Sequence, residues 1–424
     1  MDKILNASYE VRGELPILAN QIEKNIAEYP FNKIIYCNIG NPLALIPKPI
    51  KAYRKFISNE LLKNNFLNKN IGSYSPSNGF PEILTSIQEF INLRDKTTTH
   101  QTENNYLING ATEGIHHILK LYLWNKDDII LLPKPGYPIY QAMCDVYDGK
   151  TIYYDLDENQ NWSINKESLF SQIQKYQDKI KLIVIINPNN PTGSIIPHEE
   201  LLKICHFIST KNIPIIADEV YQENDIDNKF ISIRKSFLTL KLNSPLFSLH
   251  SVSKGFIGEC GLRGGYLNTL NIPTKTKNAL EKYLSMRLSA NSIGQLAVHC
   301  MTKLNQKNSV KKQIAKKKLQ YIDKLNYLYD ELNFIKGVSC SKPQGTMYVF
   351  PKIQIKENIK IIAKYEKKEP DFIWCREFLK KYGICVVPGS GFGQPEGTFH
   401  FRMTILPEMN DLKYFINCLT KFMD

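Results

Sequence analysis

Three apolar segments in the middle of the chain share one pattern, because each is short, almost wholly apolar and followed by polar residues. They cover residues 182–186, 213–217 and 246–249, and only Ser248 interrupts their apolar character. Between the first two, residues 199–210 carry apolar side chains at helical spacing. Short apolar strands that alternate with helices are typical of a parallel sheet buried on both faces. The pattern therefore predicts an α/β fold with a mostly parallel central sheet flanked by helices.

The remaining pattern predicts further helices and strands on both sides of this block. Helices are predicted at 15–27, 52–65, 81–94, 115–124, 275–287, 292–333 and 371–382, with one more at the carboxyl terminus. Further strands are predicted at 33–37, 106–108, 128–132, 151–154, 345–350, 384–387 and 398–405. Beyond Tyr266 the chain is predicted to be helical until the strand at 345–350 opens a smaller C-terminal domain.

Composition and charge exclude several classes of protein. The chain has 424 residues, of which 43% are hydrophobic, so it can bury a large core. Its net charge is +13, but the lysines and arginines are spread along the whole chain and form no uninterrupted basic arm. We therefore predict no nucleic-acid partner. No apolar stretch approaches the ~18 residues of a membrane span, and no signal peptide, metal site or membrane partner is expected. Nine scattered cysteines without short spacings fit reduced thiols in the cytoplasm.

The polar residues that follow the three apolar strands differ in chemistry from one strand to the next. Ligands bind at the carboxyl ends of strands in open parallel sheets, so these residues are candidates for a site. The first strand is followed by an amide, the second by a carboxylate with a phenol, and the third by hydroxyls with a lysine: Asn190, Asp218, Tyr221, Ser251, Ser253 and Lys254. The sequence therefore predicts one polar site at this edge of the sheet.

Lys254 stands in a stretch whose composition suits a phosphate. Ser251 and Ser253 precede it, and Arg263 follows inside a glycine-rich run. Hydroxyls, an arginine and exposed backbone N–H groups bind phosphate, and a lysine among them is a candidate for a Schiff base with a phosphorylated aldehyde cofactor. The alternative interpretation of a single lysine is a solvated surface group.

Three further positions are candidates for the site, and two of them also have an ordinary structural interpretation. The turn at Gly110, Ala111 and Thr112 precedes a predicted helix, and the amino end of a helix attracts anions. Tyr137 lies in a Pro/Gly loop after a strand, where its ring could lie flat on a planar cofactor or cap the surface. Arg402 lies in a predicted strand, so its guanidinium needs a carboxylate, which could come from the protein or from a substrate.

All these groups have a role if the cofactor is pyridoxal 5'-phosphate. Lys254 would form the Schiff base and move the substrate's α-proton, and Asp218 would keep the pyridine nitrogen protonated. Tyr137 would stack on the ring, and Arg402 would bind the α-carboxylate of the substrate through two hydrogen bonds. The phosphate would be held by Gly110, Ala111, Thr112, Ser251, Ser253 and Arg263, and the ring oxygen by Asn190 and Tyr221.

The motifs that contain these residues resemble those of the fold type I, class I/II aminotransferases. The resemblance rests on Asn-Asn-Pro-Thr-Gly at 189–193, Asp-Glu-Val-Tyr at 218–221, Ser-Val-Ser-Lys at 251–254 with Arg263, and Phe401-Arg402. The chain is most similar to the alanine aminotransferase branch, which includes glutamate:glyoxylate aminotransferases, because Gly-Glu-Cys-Gly is inserted at 258–261. The motifs occur in order over most of the chain.

This resemblance implies an aspartate aminotransferase-like fold in three segments. Residues 1–65 would form an N-terminal arm and part of the small domain, 66–300 the large domain with pyridoxal 5'-phosphate, and 301–424 the C-terminal small domain. It also implies a homodimer in which Tyr74 reaches the phosphate bound by the partner subunit. Gly40 would contact the substrate's carboxylate through its backbone.

The reaction implied is the transfer of an amino group from L-alanine to 2-oxoglutarate by a ping-pong mechanism. Within the same class, glutamate:glyoxylate or broader specificity stays open, because a pocket discriminates one methylene by only ~1–3 kcal/mol. A pyridoxal-dependent lyase or synthase would share the same cofactor residues. Arg12 is a candidate for holding the side-chain carboxylate of glutamate, and a surface ion pair is its alternative role.

Overall fold

An eight-stranded sheet forms the centre of the fold in a computed structural model that describes residues 4, 7, 9, 11, 13–45, 48–63 and 71–424. Its strand order is β2-β9-β8-β7-β6-β3-β4-β5, and the pairs from β8 through β7, β6 and β3 to β4 are parallel. These strands are β2 Asn105–Ile108, β3 Ile129–Lys134, β4 Lys150–Asp157, β5 Ser163–Ile164, β6 Ile180–Ile186, β7 Ile215–Asp218, β8 Leu246–Ser251 and β9 Gly265–Leu270.

Helices account for most of the rest of the described chain. In the amino-terminal half they are α1 Glu14–Lys24, α2 Pro42–Leu45, α3 Lys51–Leu62, α4 Pro81–Asp95, α5 Ala111–Tyr122, α6 Ile139–Val146, α7 Lys166–Tyr176 and α8 His198–Thr210. In the carboxyl-terminal half they are α9 Ile233–Leu240, α10 Thr274–Met286, α11 Ser292–His299, α12 Asn308–Phe334, α13 Glu357–Glu366, α14 Pro370–Tyr382 and α15 Met409–Met423.

Both faces of the central sheet are buried, which explains the apolar runs in the sequence. In β3, Ile129 and Leu131 pack in the cluster that contains α7, α8 and α9. Their neighbours Ile130 and Leu132 pack on the opposite face, with α5, α6 and α10. Each fully buried Ile or Leu side chain stabilises the fold by about 1.5–3 kcal/mol. A strand with two buried faces has no place for an alternating polar residue.

Smaller sheets join the two ends of the chain. Strand β1 (Ile35–Tyr36) pairs in parallel with β13 (Ile384–Cys385), so the amino-terminal segment packs with the carboxyl-terminal part. The remaining strands are β10 Val338–Ser339, β11 Tyr348–Val349, β12 Lys352–Ile353, β14 Val387–Pro388 and β15 Phe401–Thr404. They form the sheets β10-β12 and β11-β15-β14, which pack with α12, α14 and α15 in a core of their own. The three-segment domain division stays a prediction.

The α/β prediction is confirmed, but several predicted elements differ in the structure, among them the following three. The chain after Tyr266 is first a strand, β9, whose six residues are all buried between β8 and β2. The helix predicted at 115–124 begins at Ala111, because Gly110, with φ of 80°, ends the preceding turn. The helix predicted at 292–333 is interrupted between Leu304 and Asn308. No helix in the described ranges is long and apolar enough to cross a membrane.

Candidate active site

Three neighbouring strands deliver the predicted site residues to one edge of the central sheet. Asn190 lies four residues beyond the end of β6, Asp218 is the last residue of β7, and Lys254 lies three residues beyond β8. Because β6, β7 and β8 are adjacent and parallel, their carboxyl ends meet at the same edge. A strand of the carboxyl-terminal sheet, β15, brings Arg402 to Asn190. The structure therefore joins side chains separated by up to 212 residues.

Lys254 is held by backbone groups and faces aromatic rings. Its Nζ donates a hydrogen bond of 2.8 Å to the carbonyl oxygen of Gly40 and lies 5.7 Å from the ring centroid of Tyr221. The turn that carries it is fixed by Asn224, whose Oδ1 accepts from the amide of Gly255 at 2.9 Å. The lysine is partly buried, and the described residues place no carboxylate in ion-pair contact with it. Its amine therefore stays available to a ligand.

Gly40 lies so close to Lys254 and Tyr348 that a side chain has no room. A Cβ on Gly40 would be 1.8 Å from the hydroxyl of Tyr348 and 3.3 Å from Nζ of Lys254. The Gly40→Ala variant is therefore expected to displace Tyr348, at a cost of about 1–3 kcal/mol in the free energy of unfolding, and to weaken substrate binding. Gly261→Ala is the matched control, since its Cβ would meet nothing within 4 Å. Thermal unfolding measures the loss of stability, and KM measures the loss of substrate binding. Equal stability and equal KM in the two variants would contradict this packing of Gly40.

Asp218 is buried and accepts hydrogen bonds on both oxygens. The hydroxyl of Tyr140 donates to Oδ2 at 2.9 Å, and the amide of Val220 donates to Oδ1 at 3.4 Å. Burial raises the pKa of Asp218, whereas Tyr140, Val220 and the charge of Lys254 lower it. Tyr140 was missing from the sequence-based assignment, although it lies three residues after Tyr137. That i, i+3 spacing places two aromatic side chains on the same side of a helix start.

Arg402 is a buried cation whose hydrogen bonds are incomplete. It is 1% exposed, and its Nη atoms donate to Oδ1 of Asn190 at 3.0 Å and to the carbonyl oxygen of Asn38 at 3.2 Å. Its Nε has no partner among the described residues, and the ion pairs there do not include Arg402. Its Cζ lies 4.1 Å from the ring centroid of Tyr348 and 4.7 Å from that of Phe392. The described residues thus supply an amide and a carbonyl rather than the structural Asp or Glu that was one of the two predicted sources of a carboxylate.

Tyr348 connects the lysine and the arginine, and sequence analysis assigned it no role. Its hydroxyl lies 3.4 Å from that of Tyr221, and the two rings meet edge to face. Burial opposes ionisation of Tyr348, but Lys254 and Arg402 outweigh burial and lower the pKa of its hydroxyl. Burial and the nearby Tyr348 raise the pKa of Tyr221. Tyr221 is therefore the hydroxyl that keeps its proton and can donate it.

A cationic cradle lies at the amino end of α5. Arg263 donates to the carbonyl of Asn109 at 3.0 Å and to Oγ of Ser253 at 3.5 Å. A Cβ on Gly110 would be 2.3 Å from Nη2 of Arg263, so the glycine makes room for this approach. The remaining predicted phosphate residues border the same place: Ala111 and Thr112 open α5, and Ser251 accepts from the amide of Ser253 at 3.3 Å. The arginine is exposed, so an anion can reach it from solvent.

The remaining three predicted residues are Tyr137, Tyr74 and Arg12. Tyr137 is partly buried against the core, and its hydroxyl meets that of Tyr9 at 2.6 Å, so it is not a surface cap. Tyr74 is 77% exposed and reaches none of the residues above in this chain. Arg12 lies outside the described residues. The described residues contain no cluster that could hold a metal ion.

A pocket of about 420 Å³ lies behind Tyr137 and Tyr140, between the end of β3 and the turn 390–393. Its lining includes neither Lys254 nor Asp218 nor Arg402. We therefore place the candidate site at the amine, the buried carboxylate and the cationic cradle, and not in this pocket. These groups fit pyridoxal phosphate, because its aldehyde, ring nitrogen and phosphate match the amine, the carboxylate and the cradle.

Comparisons with known proteins agree with this geometry. A family model described as aminotransferase class I and II matches residues 23–419. The chain is 36% identical to a probable mitochondrial alanine aminotransferase of Dictyostelium discoideum, over 95% of this chain and 84% of the relative. It is 34% identical to a putative alanine aminotransferase of Schizosaccharomyces pombe, over 100% and 95%. The solved alanine aminotransferase from Pyrococcus furiosus superimposes with a TM-score of 0.85 and 26% identity, over 100% and 99% of the two chains.

Proposed function

The chain belongs to the class I and II aminotransferase family, and from that premise we propose that it transfers the amino group of L-alanine to 2-oxoglutarate, giving pyruvate and L-glutamate. It is an enzyme of the transferase class that acts on amino acids and 2-oxo acids. The names of the relatives support alanine as the donor. The reaction follows a ping-pong order, with pyruvate leaving before 2-oxoglutarate binds.

Enzymes of this family depend on pyridoxal phosphate, which supplies an electrophilic aldehyde and a ring that accepts electrons from the α-carbon. In this chain Lys254 would be the covalent attachment site, and its Nζ would move the proton at the α-carbon of alanine. Asp218 would hold a proton at the ring nitrogen. Asn190 and Tyr221 would bind the ring oxygen, and Tyr137 would pack on the ring. The phosphate would be bound by Gly110, Ala111, Thr112, Ser251, Ser253 and Arg263.

The incomplete hydrogen bonding of Arg402 supports this proposal most strongly. A buried guanidinium without a carboxylate is unfavourable, since removal from water costs several kcal/mol that an anion must offset. The α-carboxylate of an amino acid can accept two parallel hydrogen bonds from this group. Asn190 accepts from the same guanidinium, and the ring of Tyr348 packs on it. The hydroxyl of Tyr348 lies next to Gly40, whose carbonyl accepts from Lys254. An amino acid whose carboxylate binds Arg402 would therefore have its amine directed towards the lysine.

Replacing Arg402 with lysine is expected to raise KM for alanine about 10- to 100-fold while kcat changes less. The reason is the loss of a planar, two-pronged contact to the α-carboxylate, worth about 1.5–3 kcal/mol. Initial-rate kinetics measure the effect. Arg376→Lys is the matched control, because Arg376 pairs with Glu366 at the surface of α13 and α14. A fall in kcat at unchanged KM would contradict the assignment of Arg402.

Initial rates with paired substrates test the proposed reaction. Alanine varied at several concentrations of 2-oxoglutarate should give parallel reciprocal plots, as a ping-pong order requires. A higher kcat/KM for glutamate with glyoxylate would assign the chain to that reaction instead. Product formed from one amino acid without any 2-oxo acid would indicate a lyase or synthase.

We also propose a homodimer in which Tyr74 reaches the phosphate cradle of the partner subunit. In support of this, Tyr74 is 77% exposed, and Arg263 of the cradle is open to solvent. Sedimentation at micromolar concentration should give twice the mass of one chain, 48.9 kDa. A monomer that binds the cofactor with full activity would contradict the shared site. Arg12 is retained as the proposed partner of glutamate's side-chain carboxylate, and the cytoplasmic location stays a prediction.

A further inference from the structure

Tyr140 is a buried tyrosine that contacts the most deeply buried carboxylate of the site. It lies in the first turn of α6 and is 1% exposed. Its hydroxyl donates to Oδ2 of Asp218 at 2.9 Å. The other hydrogen bond to this carboxylate from the described residues is longer, 3.4 Å from the amide of Val220 to Oδ1. Tyr140 is therefore the closest donor to Asp218.

The ionised state of Asp218 depends on such donors. Burial in an apolar environment opposes a charged carboxylate, and it raises the pKa of Asp218. Tyr140, Val220 and Lys254 counter this effect. Because Tyr140 occupies Oδ2, the other oxygen accepts, from the described part of the chain, only the long hydrogen bond of Val220 and can still accept from a stronger donor.

We propose that Tyr140 is a positioning residue for the reaction: its hydroxyl keeps Asp218 ionised and leaves Oδ1 to hold the proton on the ring nitrogen of pyridoxal phosphate. This inference rests on the proposed function, because it assigns Asp218 to that nitrogen. Without the hydroxyl, Asp218 takes up a proton more readily and holds the ring nitrogen's proton less firmly. Hydrogen bonds to a group that binds a cofactor tune it in this way without touching the cofactor.

The chain offers a matched control in Tyr154. This tyrosine is also 1% exposed, and its hydroxyl also makes a short hydrogen bond, 2.8 Å to the carbonyl oxygen of Val184. Its acceptor is a backbone group of β6 rather than Asp218. Tyr140→Phe and Tyr154→Phe therefore each remove one buried hydroxyl with one bond, and only the first change touches Asp218.

The test is ¹⁵N NMR of the holoenzyme loaded with pyridoxal phosphate labelled at the ring nitrogen, titrated with pH. In Tyr140→Phe the pKa of the ring nitrogen should fall by about one to two, because a hydrogen bond to a charged group is worth that much. In Tyr154→Phe it should match the unchanged enzyme. The rate at which alanine exchanges its α-hydrogen with solvent deuterium should fall about 10- to 100-fold in Tyr140→Phe only. Tyr140→His, which keeps an N–H donor, should lie between the unchanged enzyme and Tyr140→Phe.

The outcomes separate this inference from the function on which it rests. Identical ring-nitrogen titrations in Tyr140→Phe and Tyr154→Phe, with the unchanged enzyme active, would overturn the role of Tyr140 and leave the proposed function standing. A chain that takes up no pyridoxal phosphate would overturn both. Thermal unfolding shows whether each variant is folded. If Tyr140→Phe does not fold, Tyr140→His tests the proposal instead. In that variant the pKa of the cofactor's ring nitrogen must lie below its value in the unchanged enzyme.

Discussion

Replacing Lys254 with alanine is expected to abolish covalent attachment of the cofactor and to lower kcat by about 10²- to 10⁴-fold for the lost proton transfer. The cause is the loss of the amine that donates to the carbonyl of Gly40 at 2.8 Å and lies 5.7 Å from the ring centroid of Tyr221. Borohydride reduction of the loaded protein followed by peptide mass analysis measures attachment. The reduced cofactor should be found on the peptide that contains Lys254, and no labelled peptide should remain in the variant.

Lys324→Ala is the matched control for this experiment. Lys324 is also buried, and its Nζ also donates to backbone carbonyls, at 3.0 Å to Leu406 and 2.6 Å to Pro407. Burial lowers the pKa of Lys324, so it is an amine more easily deprotonated than a surface lysine. We expect its removal to lower stability and leave attachment intact. Labelling of any lysine other than Lys254 in the unchanged protein would contradict the site.

Replacing Asp218 with asparagine should have the second large effect. The change keeps the size of the side chain but removes the charge that pairs with the ring nitrogen. Breaking a buried charge pair costs about 3–5 kcal/mol, so kcat for alanine should fall about 10²- to 10⁴-fold. The stopped-flow rate of the half-reaction with alanine measures this loss, and it separates the proton-transfer step from 2-oxoglutarate binding.

Glu219→Gln is the control for Asp218→Asn, because Glu219 is the next residue and equally buried. Its Oε1 accepts the amide of Ile233, and its Oε2 meets Arg94 at 3.5 Å, so it serves the packing of α9 and α4. Burial raises the pKa of Glu219 to about 7, so its carboxyl is about half ionised at neutral pH and glutamine removes only part of a charge there. The half-reaction rate should stay close to that of the unchanged enzyme. Equal losses in both variants would mean that Asp218 acts only through packing.

The sequence predicts those parts of the fold and of the site that depend on residues adjacent to one another along the chain. The apolar runs of β6, β7 and β8 are recognisable because both faces are buried, and their polar ends follow within four residues. Strand β9 is not predicted by the sequence, whose pattern beyond Tyr266 predicts helix. Its six residues become a strand only because β8 and β2 lie on either side of it.

Contacts between distant segments could not be predicted from local pattern. Tyr140 meets Asp218 across 78 residues, and Arg402 meets Asn190 across 212. For Arg402 the sequence required a carboxylate, and the fold instead provides an amide and a backbone carbonyl. The interpretation that its carboxylate comes from a substrate is the one that agrees with this environment. The role of Tyr348 also depends on the fold, because it requires β11 to pair with β15.

In the proposed reaction this chain takes the amino group from alanine and passes it to a 2-oxo acid, with bound pyridoxal phosphate as the carrier. The most direct measurement is the visible absorbance of the loaded protein during stepwise addition of substrates. L-Alanine given without any 2-oxo acid should remove the absorbance and release one pyruvate per site, and 2-oxoglutarate should then restore it. An absorbance that alanine leaves unchanged while a different amino acid removes it would contradict the account.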